Sequence, residues 1–255
     1  MVAMHKHSAL PDDPGYFPVQ VGKDLSEFSL PVTGDNTGEN ISFLNDSFCE
    51  LTGLYWLWKN CDAEFFGLTH YRRYFKPSGE ACDEIKGVRI ASASDLCKHL
   101  DQYDVILPAK RYYIIDTVRQ HYSGAHRVSD LNLTEKVIGD LYPEYSNSFT
   151  HVMNQRSLSL FNMFVMRRAL FNDYCEWLFT ILFEVKARMP TGSNEGAYQK
   201  RVFGFLAERL LNVWIHRRVS PDKTKYIPVV NIEGQGLLRL GIKYLYRKMS
   251  GNKRP

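Results

Sequence analysis

The sequence has no run of about 18 apolar residues, the length a helix needs to cross a bilayer, and its opening, MVAMHKHSALPDD, holds no extended apolar stretch of the kind that leads a secreted chain. Neither a membrane-spanning protein nor a signal-led secreted one is expected. Cysteine is sparse. Cys49, Cys61, Cys82, Cys97 and Cys175 are odd in number and never spaced as Cys-x-x-Cys, which argues against a disulfide framework or a structural zinc site and for a reducing compartment. Internal repeats and low-complexity tracts are missing. Acidic residues stop at Glu233: positions 234 to 255 carry Arg239, Lys243, Arg247, Lys248, Lys253 and Arg254 with no Asp or Glu. Taking those six from 32 Lys and Arg leaves 26 against 28 acids, so the net charge of +4 conceals a body near −2 and a tail of +6.

What is present is the composition of an ordinary globular chain. At 255 residues, 44% hydrophobic and 24% charged, it is long enough to bury a large core. Aromatics reach 13%, enough to pack that core and still leave rings for stacking on planar or ring-shaped ligands. The organisation expected is one domain over residues 1–233 followed by a basic tail over 234–255.

Along the chain, MVAMHK reads as a first strand, and residues 11 to 45 as a long irregular segment rich in Pro, Gly and Asp, the kind of loop that binds ligands. From Asp46, Phe48, Leu51, Leu54, Tyr55 and Trp58 recur at helical spacing and predict a core helix, with Asn45 or Asp46 as N-cap. FFGLTHYRRYF then predicts a strand, SASDLCKHLDQY a capped helix and DVILP a buried strand. Residues 111 to 157 read as mainly helical. SLFNMFVMRR predicts another buried strand running into a long helix, a last helix begins near Gly196, and YIPVVNIE predicts an edge strand. This alternation predicts an α/β fold with a mostly parallel sheet flanked by helices.

The stretch GLTHYRRYF concentrates positive charge where a buried strand hands over to a loop, and in open α/β sheets ligands bind beyond the carboxyl ends of strands. A strand continuing through the motif would put His70 and Arg72 on one side and Arg73, with Thr69 and Tyr71, on the other. One arginine is then free to grip an anionic ligand while the other pairs with a scaffold acid.

In order, VAMHK, DNTGENIS, CELTGLYWLWKN, FGLTHYRRYF, DVILP, FNMFVM, YCEWLFTILFE and YQKRVFGFLAERLLNVW resemble the bacterial family known as domain of unknown function 4422, from about residue 2 to residue 233. Members of that family lie in capsular polysaccharide, exopolysaccharide and O-antigen biosynthesis and are regarded as glycosyltransferases. The resemblance implies a GT-A-like fold, with a Rossmann-type sheet that binds a sugar nucleotide, such as a UDP-hexose carrying galactose in pyranose or furanose form, and a C-terminal half that receives a lipid-linked glycan acceptor. It also implies a cytoplasmic enzyme.

Such an enzyme must neutralise a diphosphate leaving group and deprotonate an acceptor hydroxyl. Many GT-A enzymes use a divalent metal held by Asp-x-Asp for the first task. The acidic pair here, Asp62 and Glu64, precedes the strand, and its end carries His70, Arg72 and Arg73 instead, so guanidinium groups are expected to replace the metal. A metal held by scattered ligands is the alternative. Asp35, Asn36, Asn40 and Ser42, in the TGDNTGENIS loop, are short polar groups able to bond ribose or sugar hydroxyls. Analogy with the fold places Ala3, His5 and Lys6, at the end of the first strand, near the nucleotide. Glu50, in an otherwise apolar helix, either contacts substrate or pairs with Arg72 or Arg73.

On the last helix Arg201, Phe205, Glu208 and Asn212 share a narrow stripe, and the resemblance makes Glu208 the candidate base, with Glu195 and Asp173 in reserve; a helical salt bridge to Arg201 or Arg209 is the competing role. A catalytically silent subunit using the same pocket is the second functional reading. Nucleic-acid binding, raised by HYRRYF and KRYY, ranks last because the excess charge sits in the tail. In that tail Arg239, Lys243 and Arg247 cluster within about 80° of a helical projection, opposite a broad apolar face. This is the pattern of a helix lying on an anionic membrane surface.

Overall fold

The computed structural model describes residues 1–190 and 201–234, so Glu195 and the basic tail beyond Gly234 lie outside the described residues. The chain opens with β1 (Val2–Met4), β2 (Pro18–Gln20) and β3 (Thr33–Gly34), then α1 (Asn45–Phe48), α2 (Leu51–Asn60), β4 (Phe65–His70) and β5 (Arg73–Phe75). The antiparallel pair β6 (Cys82–Ile85) and β7 (Val88–Ala91) precedes α3 (Ala93–His99), β8 (Val105–Pro108) and β9 (Arg111–Tyr112). A helical stretch follows: α4 (Val118–Ser123), α5 (Val128–Leu141) and α6 (Ser146–Asn154). The remainder is β10 (Ser157–Leu158), β11 (Phe164–Arg167), α7 (Arg168–Arg188), α8 (Val202–Arg218), β12 (Thr224–Ile227) and β13 (Val229–Asn231).

The central sheet runs β12-β8-β11-β4-β1-β2-β3, and every junction along it is parallel except the two made by β11. Because β11 opposes both β4 and β8, strands β1, β4, β8 and β12 all run the same way and end at one edge. Period-two alternation sends Ala3, Phe66, Leu68, Val105 and Leu107 into a core shared with α2, α7 and α8, and sends Val2, Met4, Ile106 and Val165 into a second core under β6, β7 and α3. Both faces are covered, which is why these strands read as continuous apolar runs. On α7, Phe171, Tyr174, Cys175, Leu178, Ile181, Leu182 and Val185 are buried at helical spacing, and Phe171 stacks on Phe66 with centroids 4.2 Å apart. Among the described residues no helix is long and apolar enough to cross a membrane.

Four local expectations are corrected. The segment 11 to 45 is not wholly irregular: β2 and β3 extend the sheet beyond β1. The helix predicted from Asp46 is two helices, broken at Cys49, whose φ of 54° no α-helix accommodates. Neither Asn45 nor Asp46 caps it; the Asn45 amide instead donates to the Cys49 carbonyl at 2.7 Å and to Thr52 Oγ1 at 2.9 Å. FFGLTHYRRYF is not one strand: the chain turns at Tyr71 and Arg72, pairing His70 with Arg73 across β4 and β5. YIPVVNIE is two strands separated by Pro228, β12 at the sheet edge beside β8 and β13 on the far side of β5.

Candidate functional site

At the shared carboxyl edge, the ends of β1 and β4, the α1–α2 junction and the start of α8 enclose a cleft of about 760 Å³. Ala3, His5, Lys6, Glu50, His70, Arg72, Arg73 and Glu208 all line it. They come from four separate segments of the sequence; the parallel register of β1 and β4, with Ala3 opposite His70, joins two of them, and the α1–α2 junction and α8 bring in Glu50 and Glu208.

The turn after β4 gives the two arginines different surroundings. Arg72 lies 3.6 Å from Glu233, which also holds Lys6 at 3.1 Å. Arg73 forms no ion pair among the described residues; its guanidinium sits 4.4 Å from the centre of the Phe161 ring. Burial, reinforced by Arg72, pulls its pKa below the ordinary arginine value, against the opposing pull of Glu208 and Glu50. A half-buried guanidinium without a bound carboxylate is a ready partner for an anion. His5 packs edge-on against Tyr71 at 5.1 Å, and burial together with Arg72 and Lys6 lowers its pKa, keeping it neutral beside these cations.

The opposite wall rests on two residues that sequence reasoning missed. Phe161 and Asn162 adopt φ of 76° and 54°, a left-handed conformation that costs non-glycine residues about 1–3 kcal/mol each and persists only where surrounding contacts impose it. Here they do. His70 Nε2–H donates to the Phe161 carbonyl at 2.6 Å, the Phe161 N–H donates to Glu208 Oε1 at 2.8 Å, and the Asn162 amide donates to Glu50 Oε1 at 2.8 Å and to the Gly204 carbonyl at 3.0 Å. One turn thereby ties β4, the α1–α2 junction and α8 into a single frame. Because a carbonyl only accepts, the proton of His70 lies on Nε2; burial lowers the pKa of this histidine and leaves Nδ1 as its acceptor. The signal available in the sequence was a lone Asn inside the apolar run LFNMFVM.

Glu208 makes the expected salt bridge to Arg209 and also lines the cleft. Arg209, which is 3% exposed, donates to its Oε2 at 2.9 Å, while the Glu208 side chain keeps 18% exposure at the cleft. Burial raises its pKa above the ordinary 4.5, against the pull of Arg209 and the Phe161 N–H. That makes it a stronger proton acceptor than a solvated carboxylate. Glu50 pairs with Asn162 rather than with either arginine. The reserve Asp173 is ion-paired with Arg218 at 2.6 Å.

Asp35, Asn36, Asn40 and Ser42 are not among the cleft-lining residues. Asp35 is fully buried and accepts from the Gly22 and Lys23 N–H groups at 2.9 and 3.0 Å, from Ser42 Oγ at 2.5 Å and from Thr52 Oγ1 at 2.6 Å. Asn36 donates to Asp24, and Asn40 bonds the Gly38 carbonyl and the Ser42 N–H. These groups satisfy one another and fasten the loop to α2. Asp62 and Glu64 pair at the surface with Arg168 and Arg167. Among the described residues no three His, Cys, Asp or Glu side chains converge to hold a metal ion, and the cleft carboxylates of Glu50 and Glu208 already accept from Asn162, Phe161 and Arg209.

A family model described as domain of unknown function (DUF4422) matches residues 1–219. Among solved structures, the apo form of WbbM, a bifunctional glycosyltransferase, superposes with a TM-score of 0.82 at 30% identity, over 90% of this chain. The chain spans 44% of that protein's length. A search of curated proteins returned no match.

Proposed function

The chain belongs to the DUF4422 family, and from that premise we propose that it is a glycosyltransferase moving a hexosyl group from a sugar nucleotide, a UDP-hexose such as UDP-galactose, to a lipid-linked glycan of a bacterial surface polysaccharide. The observation that carries this reading is one cleft lined by both an arginine without a carboxylate partner, Arg73, and a carboxylate of raised pKa, Glu208. The likeness to part of a bifunctional glycosyltransferase supports it.

Arg73 grips the diphosphate through forked, charge-assisted hydrogen bonds, and Arg72 and Lys6 turn from Glu233 toward the same anion. The acceptor hydroxyl gives its proton to Glu208 as its oxygen attacks the anomeric carbon. The bond from that carbon to the diphosphate oxygen breaks, its electron pair leaves with UDP, and the guanidinium groups stabilise the charge that develops there. A single displacement of this kind inverts the anomeric centre. His70 holds the Phe161 carbonyl, and through the Phe161 N–H it keeps Glu208 in position.

A panel of sugar nucleotides tests the donor site: the cognate one raises the melting temperature, and release of UDP in the presence of acceptor shows transfer. Turnover that survives exhaustive EDTA treatment supports the arginine mechanism, whereas loss restored by manganese or magnesium overturns it. One observation favours a silent binding subunit, namely that both Glu208 oxygens already accept hydrogen bonds. Donor binding without UDP release at any acceptor would establish that reading.

A further inference from the structure

Four and eight residues beyond Glu208 on α8, Asn212 and His216 face a second cavity of about 300 Å³ that the transfer reaction leaves unused. It runs along the outer strand of the sheet: Thr224 and Tyr226 come from β12, Lys110 follows β8 and His151 comes from α6. His216 stands ~12 Å along the helix axis from Glu208, within reach of a short oligosaccharide whose end is in the cleft.

The chemistry of the cavity is one-sided. Among the described residues none of its lining side chains is acidic, yet three carry or can acquire positive charge. The His151 and His216 rings stack with centroids 4.2 Å apart and planes 24° from parallel, and His216 Nδ1 meets Ser148 Oγ at 3.0 Å, which leaves Nε2 for a ligand. Lys110 forms no ion pair among the described residues; its ammonium lies 5.2 Å from the centre of the Tyr226 ring. Burial, and to a smaller extent His151 and Lys110 beside it, lowers the pKa of His216. Tyr226, 39% exposed, offers a ring face next to this cluster, and the more exposed Tyr112 is near enough to act on its hydroxyl. Aromatic faces of this kind suit the apolar side of a sugar ring.

We propose that this cavity is an acceptor subsite for a glycan bearing an oxyanion, either a phosphate or a carboxylate. Lys110, His151 and His216 take the anion, and Tyr226 takes the adjoining ring. Only the word acceptor rests on the reading of the main cleft; the anion site itself does not.

The test follows the imidazole resonances of the intact chain by NMR, with His151 and His216 identified from His151→Asn and His216→Asn. Glucuronate, inorganic phosphate and glucose are titrated separately. Either anion is expected to shift both resonances while glucose leaves them in place, and Lys110→Ala is expected to weaken the anion by about tenfold or more. Tighter binding of glucuronate identifies a sugar carboxylate as the ligand group; tighter binding of phosphate identifies a phosphoryl group. Silent resonances with both anions, equal shifts with glucose, or unchanged affinity in Lys110→Ala overturns the proposal. Should Lys110→Ala melt early, Lys110→Gln serves the same comparison. A chain that turns over no sugar nucleotide yet shows these shifts would lose the catalytic reading and keep this one.

Discussion

Two polar stretches flank the sheet edge, and they use their hydrogen bonds in opposite ways. In the loop from Gly22 to Ser42, Asp35 accepts four bonds from its own surroundings and is fully buried. Around the Phe161 turn, Glu50 accepts from Asn162 and Glu208 from Phe161 and Arg209, and both carboxylates, with the guanidinium of Arg73, still line the cleft. Both stretches are rich in groups that bind ligands elsewhere. What separates them is whether the scaffold has already satisfied those groups, since a fully paired polar network rigidifies and an incompletely paired one binds.

The sharpest way to break this comparison is Glu208→Gln. Gln preserves the shape and can still accept the Phe161 N–H, so donor binding should persist while kcat falls about a thousandfold, within the usual contribution of a general base. In the wild type, activity needs Glu208 ionised, so kcat/KM should fall as pH drops through a pKa lying above the ordinary 4.5. Normal turnover in the variant, or an acid limb at or below 4.5, removes Glu208 from the chemistry.

Next in size is the contrast between neighbours. Arg73→Lys forfeits the fork that matches two phosphate oxygens and should lower kcat/KM about a hundredfold, the scale of one lost transition-state donor. Arg72→Lys keeps a cation for Glu233 and should lower it less than about tenfold. Equal losses would show that the ion pair does not distinguish the two arginines.

Asp35→Ala should act on stability rather than chemistry. Four donors lose their acceptor, at a cost of about 3 kcal/mol or more. For a domain of this size that lowers the melting temperature by roughly 6–12 °C. Activity per folded molecule well below the melt should be near normal; a selective rise in donor KM would return the loop to the binding site. The smallest effect on catalysis is expected from deleting residues 236–255, which should release the protein from anionic liposomes and leave transfer to a short soluble acceptor intact. An intact chain that fails to sediment with such liposomes at low salt, or a truncated one that unfolds, refutes a membrane role for the tail.

The core strands, the capped helix α3 and the long helix α7 were legible because periodicity and capping are local: Ser92 accepts from the Asp95 N–H within one turn, and the apolar positions of α7 repeat at the helical period. The elements that escaped were short or set by distant partners. β2 and β3 hide in turn-forming sequence because they exist only by pairing, β2 with β1 and β3 with β2. The charge clustered in HYRRYF also pointed to the edge where the cleft lies, because a buried strand ending in cations is informative before any fold is known.

By itself the sequence determined the alternation of helices and strands, the two-sided burial of the central strands, the acid-free tail and a cationic segment at the end of β4. Tertiary structure alone decided which polar groups remain available. Asp35 stands in the polar loop TGDNTGENIS and Glu208 in the apolar helix stretch FLAERLL, and local sequence makes both candidate site groups. Asp35 meets four donors from Gly22, Lys23, Ser42 and Thr52, whereas Glu208 meets Phe161 and Arg209 and still borders the cleft. The left-handed turn at Phe161 and Asn162 is likewise decided by the fold: Asn tolerates that conformation but Phe does not favour it, and contacts from β4, the α1–α2 junction and α8 hold it there.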